Sequence, residues 1–289
     1  ADMASFGVNP AGFGMYKRNE ISATLGTGIA KAKNYNAYNS GDNLKAQFAI
    51  NNIGFATNIY EGTGKLTAIN FAFGYNKVAD YNYDVNYYGN PDVSSLADAF
   101  ADIANANGLV INSDNKIADS RGYYDYDMNP YYWGAVMGYK AGLINRGNNG
   151  WYPDEIAPGA QMTQYTNLES RGSAGEFSFA LGFNINNILY FGASLDVQSI
   201  SRRQSIFYDE YIYYNGSAPS PELLPYQLRD FQFEQTVEIK GAGVGAKFGV
   251  VARPVPSLRI GVAVHTPSYY SVSYRYSASL ASTSLSVGD

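Results

Sequence analysis

The chain contains no cysteine, and His265 is its single histidine. Disulfides, thiolate nucleophiles and cysteine-based metal sites are excluded, and no metal or cofactor site is expected. Charge is scarce too. Only 16% of the 289 residues are Asp, Glu, Lys or Arg, against about a quarter in ordinary soluble domains. The net charge of -5 is spread along the chain and argues against a nucleic-acid partner. No apolar run reaches the ~18 residues of a membrane-spanning helix. A mean hydropathy of -0.24 still suits strands that show one face to lipid and the other to a polar interior.

What the chain has in quantity is 30 Gly, 27 Tyr and 15 Phe, arranged in alternating segments. Asn9-Pro10-Ala11-Gly12-Phe13-Gly14 is a turn signal, because Pro fixes φ and Gly allows φ > 0. Ile21, Ala23, Leu25, Thr27 and Ile29 then alternate with small residues, the period of a strand. Six further strands follow. The second covers about 44–60, the third starts at Lys65, and the fourth resumes near Met162. The fifth carries Leu189 to Val197, the sixth Val244 to Val250, and the seventh runs from Leu258 in phase to Tyr276. Connections after the second, fourth and sixth strands are short, and those after the first, third and fifth are longer. Outer-membrane barrels sort their loops in this way, whereas a β-sandwich has no reason to. Tyr35, Tyr38, Tyr60, Tyr75, Tyr81, Tyr208 and Tyr211 fall mostly beyond the aliphatic stretches, as in the aromatic girdles of such barrels.

The fold expected is all-β, an antiparallel outer-membrane β-barrel whose seven strands end on the outer side and cannot close alone. Residues 1–15 are expected to end a hatch, and 16–289 to form part of the wall. An outer-loop insertion is expected at about 78–161. Within it, Val93, Leu96, Ala97, Phe100, Ile103 and Ala104 recur at helical period behind a Ser95/Asp98 capping box. Asn129-Pro130 opens a second helix to Ile144 that is apolar nearly all round. The two helices either bury their faces on each other and the rim or leave an apolar groove around Phe100, Trp133, Met137 and Leu143.

The NPAG turn, the loop helices and His265-Thr266-Pro267-Ser268 resemble the FadL/TodX family of outer-membrane hydrophobic-compound transporters. The resemblance implies a fourteen-stranded, hatch-plugged barrel, monomeric when complete, of which this chain is roughly the N-terminal half. It implies passive transport of long-chain fatty acids or similar hydrophobic small molecules, with membrane lipid as the other partner and no enzymatic activity. Classical members carry the helical loop later in the barrel. Strand parity nominates Lys247, Arg259, His265 and Arg275 as lumen groups that could hold a carboxylate head, with Arg202 nearer the rim. The bland reading is a salt-bridge network with Glu176 and Asp196. A general porin or a surface adhesin is the competing function. A lipase would need His265 joined to Ser194 and Asp196, which no spacing supports.

The second strand breaks phase. Its apolar residues are even-numbered to Ile50 and odd-numbered from Ile53, so an extra residue must be absorbed at Asn51-Asn52 by a bulge. Such a kink marks a lateral opening in the resembled family, although there it lies in the third strand. Counting up from the turn at Glu61, the bulge also fits a strand leaving the membrane.

Overall fold

The computed structural model describes residues 5–33, 42–90, 94–154, 156, 160–214 and 226–286. A short helix α1 (Ser5–Val8) leads into the 3-10 turn Pro10–Met15. The strands β1 (Glu20–Lys33), β2 (Asp42–Glu61), β3 (Leu66–Asp80) and β4 (Tyr83–Gly89) follow. An inserted unit then holds α2 (Leu96–Ala106), the hairpin β5/β6 (Val110–Ile111, Ile117–Ala118), α3 (Trp133–Lys140) and the hairpin β7/β8 (Ile144–Gly147, Gly150–Pro153). The sheet resumes with β9 (Ala160–Ile185), β10 (Leu189–Tyr214), β11 (Tyr226–Val255), β12 (Leu258–His265) and β13 (Tyr269–Ser286). Among the described residues no helix is long and apolar enough to cross a membrane, which says nothing of a β-barrel.

The large sheet is an antiparallel meander in the order β1-β2-β3-β9-β10-β11-β12. β4 prolongs β3 along β9, and β13 prolongs β12 along β11. Among the described residues the sheet does not close, and its edges are β1 and the β12/β13 line. The seven alternating segments of the sequence are therefore its seven rungs. The insertion is shorter than the sequence pattern suggests: β4 extends the sheet to Gly89, and β9 begins at Ala160. Residues 83–89 escape recognition because the strand is short: Tyr83, Val85 and Tyr87 alternate with Asp84 and Asn86, but Tyr88 breaks the pattern and Val85 is its one aliphatic residue.

Side chains sort by face in rows that run straight across the sheet. Ile53, Tyr75, Phe177, Val197 and Val244 are register partners, one strand to the next. Phe55, Phe73, Phe179 and Leu195 form the next row. These rows lie on a bare face that no other element covers among the described residues; Phe177, Phe179, Phe191, Leu195, Phe248 and Val262 are all exposed there. Their rings meet in the plane of the sheet, with Tyr75 and Phe177 at 4.9 Å and Phe73 and Phe179 at 5.0 Å between centroids. The opposite, covered face carries Asn70, Glu176, Ser178, Asn184, Ser194, Asp196 and Lys247, all buried.

Beyond Val197 the two faces exchange character without any change of parity. The bare face of β10 reads Ser199, Ser201 and Arg203, and that of β11 reads Lys240, Glu238 and Glu234. The covered face now carries Ile212, Phe231 and Phe233, packed against the inserted unit. That unit has a core of its own. Gly134 and Gly138, one turn apart on α3, let the ring of Phe100 on α2 lie against the helix backbone; a Cβ at Gly134 would stand 2.6 Å from that ring. This contact covers a helix that is apolar on every side. α3 ends at Lys140, earlier than Ile144, because Gly142 turns the chain at φ +79 and Ile144 opens β7.

Candidate functional site

Three neighbouring features occupy the covered face and the wall. The first is the docked turn. Asn9 caps it, its Oδ1 accepting from the Ala11 amide at 2.9 Å while its Nδ2 reaches the Val262 carbonyl at 3.2 Å. Phe13 is fully buried with Tyr16, Ala56, Ala72 and Ala180. Beneath the turn, Gly182, Gly192 and Gly249 are register partners in three adjacent strands. A Cβ would lie 2.4 Å from the Phe13 carbonyl carbon at Gly182, 2.1 Å from that of Pro10 at Gly192, and 1.8 Å from Asn9 Oδ1 at Gly249. Asn70 extends the same row on β3 and donates to the Phe13 and Tyr16 carbonyls at 2.7 and 3.0 Å. One row of the sheet is thus a seat for the turn. The repeated Gly between apolar neighbours, as in Leu181-Gly182-Phe183 and Phe191-Gly192-Ala193, is the signal that could have found it.

The second feature is the buried charge cluster one or two rows further on. The Lys247 ammonium lies 2.7 Å from Glu176 and 3.2 Å from Asp196. Gln198 donates to Glu176 at 2.8 Å and Ser178 to Asp196 at 2.6 Å. Two carboxylates against one ammonium leave no surplus positive charge for an anionic head, so Lys247 is placed as the network reading has it. His265 stands opposite Lys247 in the register, and its Nε2 is 3.1 Å from the Val8 carbonyl. It therefore touches the chain just before the docked turn. No hydrogen bond joins it to Ser194 or Asp196 among the described residues.

The other two nominated cations are not brought into this cluster. Arg259 is exposed near the short turn at Pro256 and has no ion pair among the described residues. Arg275 lies on the opposite face. Along β12 the pairing keeps Val262 against Val250, but β13 pairs Tyr269 with Val244, a slip of one residue. Thr266-Pro267-Ser268 absorbs it. Pro267 has no N–H to give the ladder, and Thr266 Oγ1 accepts from the Ala246 amide at 2.9 Å. The slip turns Tyr270, Val272, Tyr274 and Tyr276 to the covered face and Arg275 to the bare one, opposite Glu238. The expectation of one continuous phase through the seventh strand is corrected here. Arg202 stays on the covered face, its guanidinium 2.6 Å from Gln204 Oε1.

The third feature is a parted seam. β2 bulges as expected: Thr24 faces Asn52 and Leu25 faces Ile50, so Asn51 is the extra residue. The β2–β3 ladder also stops there, with Asn52 against Asn76 as its last pair. β3 bulges in turn at Val78, between Lys77 facing Gly175 and Ala79 facing Ala174. Past these points β2 pairs only with β1, while β3 and β4 pair only with β9. Side chains replace the ladder. Asn52 is hydrogen-bonded to Asn76, Gln47 to Asp80 at 3.1 Å, and Lys45 to Asp84 at 2.9 Å. Between the strands lies a cleft of about 380 Å³ lined by Gly26, Gln47, Asn51, Lys77 and Asp80. Asn51 does not mark the end of the apolar stretch. Phe48 and Ile50 on its far side are 68% and 50% exposed, and Ile53 and Phe55 on its near side 45% and 37%. The apolar residues of β1, Ile21 to Ile29, pair with residues 55 down to 46, so the apolar stretch runs further along β1 and β2 than along β3.

The loop groove differs from its expected form. Met137 and Leu143 belong to the buried core of the inserted unit, and Trp133 is partly buried against Tyr276 at 5.1 Å. Phe100 is a core residue that also lines a groove of about 510 Å³ with Leu96, Ile103, Tyr131, Tyr274 and Tyr276. Two of these six, Tyr274 and Tyr276, come from the seventh strand, because the slip at Pro267 decides which way they point. Tyr208, expected in a girdle, instead hydrogen-bonds Glu210 on the covered face. Glu210 is fully buried and accepts from Ser95 Oγ at 2.5 Å, from the Leu96 amide at 3.2 Å and from Gln164 at 2.9 Å. Burial pushes its carboxyl above the ordinary range despite these donors. It pins the start of α2, and with it one lip of the groove, to β10. Tyr35 and Tyr38 lie outside the described residues.

No family model matches the chain, and no curated protein matches it. Among solved structures, a double mutant of Rh. blastica porin is 6% identical, covering 90% of this chain and 99% of that one at a TM-score of 0.13. Two triple mutants of the same porin give a TM-score of 0.12. Likeness at this level does not establish a shared fold.

Proposed function

We propose that this chain is part of the wall of an outer-membrane β-barrel of the FadL/TodX type, passing long-chain fatty acids or other hydrophobic small molecules inward without an energy source. One observation carries the reading: the bare face is apolar over about nine residues of each strand from β9 to β11, and the wall parts between β2 and β3 at Asn51, where β2 stays apolar on that face both before and after the parting. Nine to eleven tilted residues are the span of a membrane strand. A contiguous apolar surface of this kind is disfavoured in water. In lipid each large side chain gains ~1.5–3 kcal/mol. An acyl chain would rest first in the groove beside Tyr131 and Tyr274. It would then enter the covered side and leave through the seam into the bilayer, so that its apolar length never crosses the charge cluster.

Uptake of a fluorescent fatty acid into vesicles holding the protein tests this. Tyr131→Asp with Tyr274→Asp is expected to lower uptake roughly tenfold at low substrate, through lost apolar contact, while leaving heat resistance of the sheet unchanged. Met137→Asp should unfold the inserted unit instead, since that side chain is buried. Unaltered uptake in the tyrosine variant removes the groove from the pathway. Absence of uptake by the unmodified protein overturns the transport reading.

A further inference from the structure

Above the apolar rows, the bare face carries a second pattern that transport does not use. Arg171, Arg203, Glu238 and Arg275 are register partners across β9, β10, β11 and β13. The row beneath, toward the apolar residues, reads Ser173, Ser201, Lys240 and Ser273. Four cations and three hydroxyls thus occupy two adjacent rows, with Glu169 and Glu238 as the acidic neighbours that pair with them.

The internal pairing is weak. Glu238 is 3.8 Å from Arg203 and 3.9 Å from Lys240, with both cations more than 60% exposed. Arg275 has no ion pair among the described residues. Arg171 and Arg203 stand directly opposite each other, an arrangement that costs stability on a sheet unless an anion lies between them. Arg171 has Glu169 as a partner on its own strand, which leaves Arg203 facing a cation on one side and a distant carboxylate on the other. Guanidinium groups and serine hydroxyls in this spacing suit phosphate oxygens. Neighbouring strands are ~4.8 Å apart, so the row from Arg171 to Arg275 spans roughly 14 Å. That is wide enough for more than one phosphate.

The height selects the source. Lys240 lies four residues beyond Val244, and Arg203 six beyond Val197. At ~3.3 Å per residue and a tilt near 45°, those distances are roughly 9 and 14 Å along the membrane normal. An ordinary headgroup layer is only ~5–8 Å deep. We infer that these two rows bind a membrane glycolipid that carries phosphate on its sugars, in the leaflet at the long-loop end of the strands. The inference rests on the proposal that the bare face meets lipid.

The test uses the full protein in phosphatidylcholine vesicles with a trace of a fluorescent diphosphorylated disaccharide lipid, or of its dephosphorylated form. Energy transfer from a dye on the protein measures enrichment around the wall, and flotation measures insertion. The combined variant Arg171→Gln, Arg203→Gln, Lys240→Gln, Arg275→Gln is expected to lose at least about tenfold in enrichment of the phosphorylated probe, because it removes four positive charges and leaves Glu169 and Glu238 facing the phosphates. The wild type should show the same deficit with the dephosphorylated probe, and Arg203→Lys should retain most of the enrichment. Equal enrichment in wild type and variant, both floating with the vesicles, overturns this inference alone. Failure of the wild type to float overturns it together with the membrane reading. Loss of enrichment to millimolar inorganic phosphate, but not to chloride of equal ionic strength, would make the rows a simple anion site and overturn the glycolipid assignment.

Discussion

Gly192→Val is expected to expel the turn at Pro10 from its seat. The added side chain would begin 2.1 Å from the Pro10 carbonyl carbon, a backbone atom that cannot rotate away. Relief requires the whole turn to lift, and Phe13 loses its pocket with it. Overpacking of this kind costs about 3 kcal/mol. Gly182→Val should act alike against the Phe13 and Gly14 backbone, and Gly249→Val should push out the Asn9 side chain that caps the turn. Gly64→Ala is the control, since nothing lies within 4 Å of the Cβ it would add. Protease cleavage at Tyr16 to Asn19, slow in the unmodified protein and in Gly64→Ala, should become fast in the three seat variants. If it does not, the turn is held by something other than the glycines.

Tying the seam shut is expected to stop transport while leaving the fold intact. Gln47 and Asp80 face each other across the cleft and are joined by one hydrogen bond. Cysteines at these two positions can be linked by a short bifunctional maleimide, and the chain has no other cysteine to interfere. Uptake should fall roughly tenfold or more, as for other gated passages, and should return when a cleavable linker is cut. The same linker between cysteines at Ser205 and Thr236, partners in an unbroken ladder, should change nothing. Unchanged uptake with the seam tied means that the gap between β2 and β3 is not the route.

The strands were legible because alternation is a local signal. Period two over eight or nine residues, ended by Asn186-Asn187 or Glu61-Gly62, fixes both the strand and the side chain's face. The slip at Asn51 was legible for the same reason, since a change of parity needs only neighbours to be seen. The slip at Thr266-Pro267-Ser268 was not. Tyr270 to Tyr276 are even-numbered like Ile260 to Val264, so the alternation looks continuous. Only the pairing with β11 shows that the even positions have changed sides. That one residue moved Arg275 away from the charge cluster and brought Tyr274 and Tyr276 to the groove. The seam was half legible. The bulge on β2 could be read, but its counterpart at Val78 and the end of the ladder are properties of two strands together. The glycine row is likewise invisible without the register. Met137 and Leu143 were misplaced because an apolar helix looks the same whether it lines a groove or fills a core. Burial by Phe100, through the close approach at Gly134, decides between them.

The claim on which the rest depends is that the bare face meets lipid. Spin labels placed singly at Phe179, Leu195, Phe248 and Val262, in the reconstituted full protein, test it directly through collision with oxygen and with a water-soluble nickel complex. Lipid contact predicts high oxygen and low nickel accessibility at all four positions, with the opposite balance at Arg203. High nickel accessibility at the four positions, or low accessibility to both reagents as between two packed sheets, would contradict it.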